Sequence, residues 1–185
     1  RGTLEQAAQH GRTLANAVEA ALAVVTARPL HGPLRSAFGH ADLAIADSSR
    51  TDLERRARSR SKDEKSRAED LLKQLEAKGT LPTSYPCPVQ VVQFGTDLTL
   101  VAIGGETTVD YSLRLKREMA SSPSALWVAG YSNDVFGYLG SRRVIVEGGY
   151  EGYSANLWDF PGPWATNSEE RVIGKVYELI RAINH

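Results

Sequence analysis

Near the start of the chain, apolar residues recur at Leu14, Val18, Ala21, Leu22 and Val25. These three- and four-residue steps line one face of a helix. Thr3-Leu4-Glu5-Gln6 stands ahead of them in capping-box order, with Thr3 as N-cap. Arg28-Pro29 ends the run, since proline cannot continue a helix. Looser alternation over residues 34–46 (LRSAFGHADLAIA) predicts a strand. Helical spacing returns from about Asp52 to Lys78, with Thr51-x-x-Glu54 as a second capping box and Gly79 as the stop. The first half of that helix, ERRARSRSKDEKSR, is polar on every side, and Ala68, Leu71, Leu72 and Leu75 make a core-facing stripe.

Beyond a Pro-rich link, Leu81 to Pro88, the character changes. Val89 to Phe94 and Leu98 to Ile103 read as two strands joined by Gly95-Thr96-Asp97, a hairpin signal. A short helix follows over 109–119, then a buried strand from Leu126 to Tyr131 and a terminal helix from Glu169 to Ile183. Helices and strands alternate, with a hairpin among them. The expected class is α/β: a mixed sheet with a hairpin, flanked by helices. Residues 1–80 are expected to form a mainly helical part and 81–185 a sheet-rich part.

Charge adds a restriction. Lys plus Arg and Asp plus Glu both number 22, so no overall field favours nucleic acid or an acidic membrane surface. Asp63, Glu64, Glu69 and Asp70 interrupt the basic run of the second helix, and no aromatic residues are interleaved for base stacking, so a solvated helix is expected there. Cys87 is the single cysteine, which leaves no intramolecular disulfide. No stretch approaches the roughly 18 apolar residues of a membrane span. The chain opens at Arg1 with no basic-then-apolar leader, and is expected to be a processed chain or a fragment.

Three places set reactive groups at strand ends. In Ile103-Gly104-Gly105-Glu106 two glycines permit a sharp turn, after which Glu106 either projects from the sheet or serves as an acid at the next helix N-terminus. In GYSNDVFGYL, residues 130–139, Tyr131 and Tyr138 flank Asn133 and Asp134. In Glu147-Gly148-Gly149-Tyr150-Glu151-Gly152-Tyr153, glycines on both sides of Tyr150 allow close approach of another group. For any single tyrosine taken alone, ordinary packing with its hydroxyl on a partner is the favoured reading, and spacing alone does not lift these residues above it.

The order GGE, then GYSN…GYL, then GGYEG resembles the later part of the catalytic domain of the neutral/alkaline non-lysosomal ceramidases, most strongly from Thr83 to Pro163. Those enzymes are zinc-dependent amidases that hydrolyse N-acylsphingosine to a fatty acid and sphingosine. The resemblance implies that Glu106 and Tyr138 are zinc ligands, with Asn133 beginning the Asn-x-x-x-x-Tyr pattern. It implies that Tyr150 lies beside the scissile amide as an oxyanion donor. It also implies a ceramide-like lipid substrate and a secreted or otherwise extracytoplasmic setting. The family's two histidine ligands and its serine come from earlier in the domain. His10, His31, His40 and His185 show no metal-ligand spacing, so this is expected to be a partial catalytic domain, inactive alone, whose zinc site is completed by a missing N-terminal half. Two alternatives stand beside it: a hydrolase of another N-acyl lipid or amine, and a non-catalytic binding module that keeps the fold.

Overall fold

A computed structural model of the chain describes residues 2–46, 49–153 and 160–184. It has two compact units, Arg1–Leu30 and His31–His185. The first contains helix α1 (Leu4–Val24), which starts as the sequence predicts: Gln6 N donates to Thr3 Oγ1 at 3.2 Å and Thr3 N donates to Gln6 Oε1 at 2.9 Å. None of its residues is buried, and the stripe residues Leu14 and Leu22 are exposed. Among the described residues, no helix is long and apolar enough to cross a membrane.

The second unit is a mixed α/β layer. Strands β1 (Leu34–Ala44), β2 (Ser84–Phe94), β3 (Leu98–Ile103) and β5 (Ala125–Ala129) form a four-stranded sheet in the order β1-β2-β3-β5. The first two pairings are antiparallel and β3–β5 is parallel. The predicted hairpin is therefore present, and so is the mixture of strand directions. A second, two-stranded sheet pairs β4 (Glu106–Thr107) with β6 (Tyr138–Leu139) in parallel. The helices are α2 (Arg50–Arg56), α3 (Lys62–Lys78), α4 (Val109–Glu118), α5 (Arg142–Glu147), α6 (Gly149–Tyr153) and α7 (Ser168–Asn184).

Alternation along the strands decides where the core lies. Ala41, Leu43, Cys87, Val89, Val91, Val101 and Ile103 pack with Val172, Ile173, Val176, Leu179 and Ile183 of α7 and with Tyr111 and Leu115 of α4. Each such aliphatic side chain contributes roughly 1.5–3 kcal/mol on burial. The other face of the same sheet is different. Its central row runs Ser36–Val92–Leu100–Trp127, and Leu34, Phe38 and Trp127 are 66%, 52% and 63% exposed. The strand expected to be buried at 126–131 is thus a half-exposed edge strand. Leu126 and Val128 face the core, whereas Trp127 does not.

Two further expectations change in detail. The helix expected over 52–78 is broken at residues 57–61. Ser49 caps α2 by accepting from Asp52 N at 3.2 Å, and Ser61 caps α3 by accepting from Glu64 N at 3.4 Å. Serine hydroxyls compete with the helical backbone in this way, so a serine-rich run splits a helix that periodicity alone would continue. The polar first half is not wholly solvated either. Asp52 and Arg56 are buried, and Arg56 Nη1 donates to Pro161 O at 2.7 Å. The Pro-rich link also starts earlier as structure, because β2 begins at Ser84. Pro88 O accepts from Gly104 N at 2.9 Å, so its backbone faces away from β1 and its missing N–H removes no β1–β2 bond.

Candidate functional site

The site region forms where β3 ends. Gly105 turns the chain with φ +73°, and an added Cβ would lie 2.8 Å from Gly137 O and 2.8 Å from the Phe136 ring, so only glycine fits without displacement. Glu106 N then donates to Gly137 O at 2.8 Å and Thr108 N to Leu139 O at 3.2 Å. This places Glu106 in direct register with Tyr138. Registered partners in a ladder carry their side chains on the same face, so the carboxyl and the phenol stand side by side. Buried anchors hold this small sheet: Leu139 is fully buried, Phe136 packs edge-on to Trp164, and Trp164 Nε1 donates to Tyr138 O at 3.0 Å.

Tyr150 arrives from α6. Its ring meets that of Tyr138 edge to face, with centroids 5.5 Å apart and planes at 76°. Of the three residues the resemblance assigns, the structure brings Glu106 and Tyr138 into register and sets Tyr150 against Tyr138. The alternative for Glu106, an acid in the first turn of a helix, does not describe it: Glu106 lies in β4, and Asp110 is the acid in the first turn of α4.

A fourth residue stands in the same cluster. Tyr131 follows β5, and its N–H donates to Gly105 O at 2.7 Å, while Ser132 N donates to Ile103 O at 3.1 Å. Tyr131 has φ +52° and Asn133 φ +68°, the two non-glycine residues with positive φ among those described. The left-handed conformation costs an L-residue about 1–2 kcal/mol. The strain is held by the Gly105 N bond to Asp134 O at 2.9 Å and by Asn133 Nδ2 donating to Gln90 Oε1 at 3.3 Å. Asp134 also accepts from the Tyr85 hydroxyl. The turn formers of this loop therefore stitch it to the Gly104–Glu106 turn.

Glu106 is the electrostatic centre. Its hydrogen bond with the Tyr131 phenol, then desolvation, push that phenol up to about 12. Tyr138 is also raised, by desolvation first and then by the Glu106 charge and hydrogen bond. Both phenols therefore hold their protons at pH 7. Spacing offered no signal for Tyr131, because nothing in Gly130-Tyr131-Ser132 announces a left-handed tyrosine.

Glu106 and Tyr138 offer two hard oxygen donors, which suit zinc in kind but are fewer than the four ligands of a tetrahedral site. Among the described residues no group of three or more His, Cys, Asp or Glu could hold a metal ion. His10 lies on α1, His31 Nδ1 is 3.1 Å from Asp97 Oδ2, and the His40 ring packs edge-on to Phe38. His185 lies outside the described residues.

No protein-family model and no curated protein matches the sequence. Solved structures do. The chain is similar to a ceramidase complexed with C2, with 17% identity and TM-score 0.37 over 80% of this chain and 31% of that one. It is also similar to the neutral ceramidase from Pseudomonas aeruginosa, with 16% identity and TM-score 0.41 over 79% of this chain and 27% of that one. The chain thus spans about a third or less of the length of these proteins.

Proposed function

We propose that this chain is part of the catalytic domain of a zinc-dependent amide hydrolase of the ceramidase type, cleaving N-acylsphingosine to a fatty acid and sphingosine. The observation that carries the reading is the register of Glu106 with Tyr138, with Tyr150 against the Tyr138 ring. Residues from three separate motifs thereby lie beside one another, which supports the roles their resemblance implies. Glu106 and Tyr138 would hold the zinc, which when bound supplies a nucleophilic water near neutral pH and polarises the amide carbonyl. Tyr150 is 64% exposed, and its hydroxyl would donate to the negative charge that develops on the amide oxygen.

Two features support an incomplete domain. The donor set is short of a zinc site, and the sheet carries an apolar face with Phe38 and Trp127 exposed. Bulky apolar side chains side by side on one sheet face are ordinarily covered by a further layer. The remaining ligands, the serine and the second cover would come from chain outside these residues. An extracytoplasmic setting follows from the same reading.

Two single-atom changes in the full-length protein test the assignment. Tyr138→Phe removes one hydroxyl and should lower zinc content while the fold survives. Tyr150→Phe should keep zinc and reduce turnover by about 10²–10³, the usual loss of an oxyanion donor. A purely structural tyrosine would lower the melting temperature with metal and rate unchanged. Wild-type zinc content and wild-type hydrolysis of N-acylsphingosine in both variants would refute the reading.

A further inference from the structure

The ladder that pairs Glu106 with Tyr138 is two residues long, and so short a sheet is marginal unless something outside it holds its strands. Each strand runs almost at once into a helix. β4 is followed by α4, whose Tyr111 and Leu115 are buried in the core. β6 is followed by α5, which has no buried residue and reaches the core only through half-buried Ile145. Apolar packing thus fixes α4 and leaves α5 mainly to polar ties. One tie runs to α4 and the residue before it: Ser141 N donates to Thr108 Oγ1 at 3.1 Å and Ser141 Oγ to Asp110 Oδ2 at 3.0 Å. The other comes from α7. Glu169 Oε2 accepts from Arg142 N, the first residue of α5, at 2.8 Å, and Glu169 Oε1 accepts from Arg114 Nη1 of α4 at 2.9 Å. The two oxygens of one carboxylate serve two different helices. Its side chain is 12% exposed, so water competes little for either bond.

We propose that Glu169 is a positioning residue: its carboxylate bridges α4 and α5 and so holds β4 and β6 in the register that sets Glu106 beside Tyr138. Its bearing on catalysis rests on the roles proposed for Glu106, Tyr138 and Tyr150, whereas the bridge itself needs no metal. The neighbouring Glu170 shows what the bridge requires. It meets the same Arg114 twice, from Nη1 to Oε1 at 2.6 Å and from Nη2 to Oε2 at 2.9 Å. Both of its oxygens are spent on α4, and it makes no hydrogen bond to α5 among the described residues. Arg114 also donates from Nε to Glu118 Oε1 at 2.7 Å, so its guanidinium keeps partners when either α7 carboxylate is changed. α5 leads through Gly148 to α6, which carries Tyr150. A shift of α5 would therefore loosen the contact of Tyr150 with the Tyr138 ring as well.

The experiment is amide hydrogen exchange in the full-length protein, followed by mass spectrometry, with neither metal nor substrate needed. Glu106 N and Thr108 N donate to Gly137 O and Leu139 O, so their exchange reads the opening of the ladder, and the β2–β3 hairpin serves as reference. Glu169→Gln keeps the size of the side chain, but an amide nitrogen cannot accept, so one arm of the bridge is lost. Exchange at Glu106 and Thr108 should rise about 10–100-fold, the usual effect of losing one hydrogen bond to a charged group, while the hairpin exchanges as in wild type. Glu169→Ala loses both arms and should exceed that rise. Glu170→Gln removes the same charge beside Arg114 without touching α5, and should leave the ladder as it is in wild type. An equal rise across ladder and hairpin in Glu169→Gln would make Glu169 a contributor to overall stability only, and would overturn the bridge. An unchanged ladder would overturn it too, as would a rise in Glu170→Gln equal to that in Glu169→Gln. Zinc content in Tyr138→Phe decides the ligand assignment separately: if that assignment fails while exchange responds as expected, the bridge stands and only its bearing on catalysis falls.

Discussion

Gly79 and Gly105 share a backbone φ of +73° but differ in the space around them. Replacing each with alanine separates two destabilising effects. At Gly79, the C-cap of α3, an added Cβ meets nothing within 4 Å. Only the left-handed strain acts there, about 1–2 kcal/mol, offset in part by the reduced freedom of the unfolded chain, about 0.4–1 kcal/mol. The net loss is about 1 kcal/mol. At Gly105 the same strain applies, and the new Cβ also lies 2.8 Å from Gly137 O and 2.8 Å from the Phe136 ring. Overpacking of that kind adds typically about 1–3 kcal/mol, because Phe136 is wedged between Tyr85 and Trp164 and cannot retreat freely. Gly105→Ala should therefore cost about 2–4 kcal/mol, a fall in melting temperature of roughly 4–16 °C for a chain of this size, against about 2–4 °C for Gly79→Ala. Thermal unfolding followed by circular dichroism measures both. Equal shifts in the two variants would mean that the approach of Gly105 to Gly137, and with it the placement of Glu106 beside Tyr138, is not as described.

Two other measurements probe the chain more broadly. Burial pushes the Cys87 thiol up to about 12, and burial together with the Asp134 hydrogen bond pushes the Tyr85 phenol up to about 12. Both groups hold their protons more tightly folded than unfolded. Their stabilising contribution is full below about pH 9 and is lost as pH rises toward about 12. For Cys87, which starts from 9.0, this amounts to about 4 kcal/mol at most, at about 1.36 kcal/mol per pH unit. Urea unfolding across that range should show the fall, and Cys87→Ala should flatten it; an unflattened curve would show that the thiol is not protected by burial. Calorimetry on the 185-residue chain alone should show no tight stoichiometric zinc binding, since two oxygen ligands make a weak site. Tight binding would contradict an incomplete donor set.

Much of the scaffold was legible because it rests on local chemistry. Thr3 and Gln6 form a capping box wherever the helix goes, Gly79 stops α3 because it takes the left-handed conformation freely, and Gly95-Thr96-Asp97 joins two strands whose apolar residues alternate. The second helix shows where periodicity misleads. Ser59 and Ser61 carry hydroxyls that bond nearby groups as readily as the helix ladder does, and the helix breaks there.

The sequence by itself determined the mixed α/β class, the hairpin and the order of three polar motifs, since helix period, strand alternation and turn residues are properties of neighbours along the chain. It did not determine that Glu106 and Tyr138 share a two-residue parallel ladder, because so short a strand has no period to read and its register is set by the fit of Phe136 and Leu139 into the core. The left-handed tyrosine at 131 was also beyond reach. Its conformation is held by its backbone bond to Gly105 and by that of Ser132 to Ile103, residues distant in sequence, against its own local preference. The exposure of Trp127 belongs to the same group, for alternation tells which side chains share a face of a sheet, and only the packing of α7 decides which face is covered.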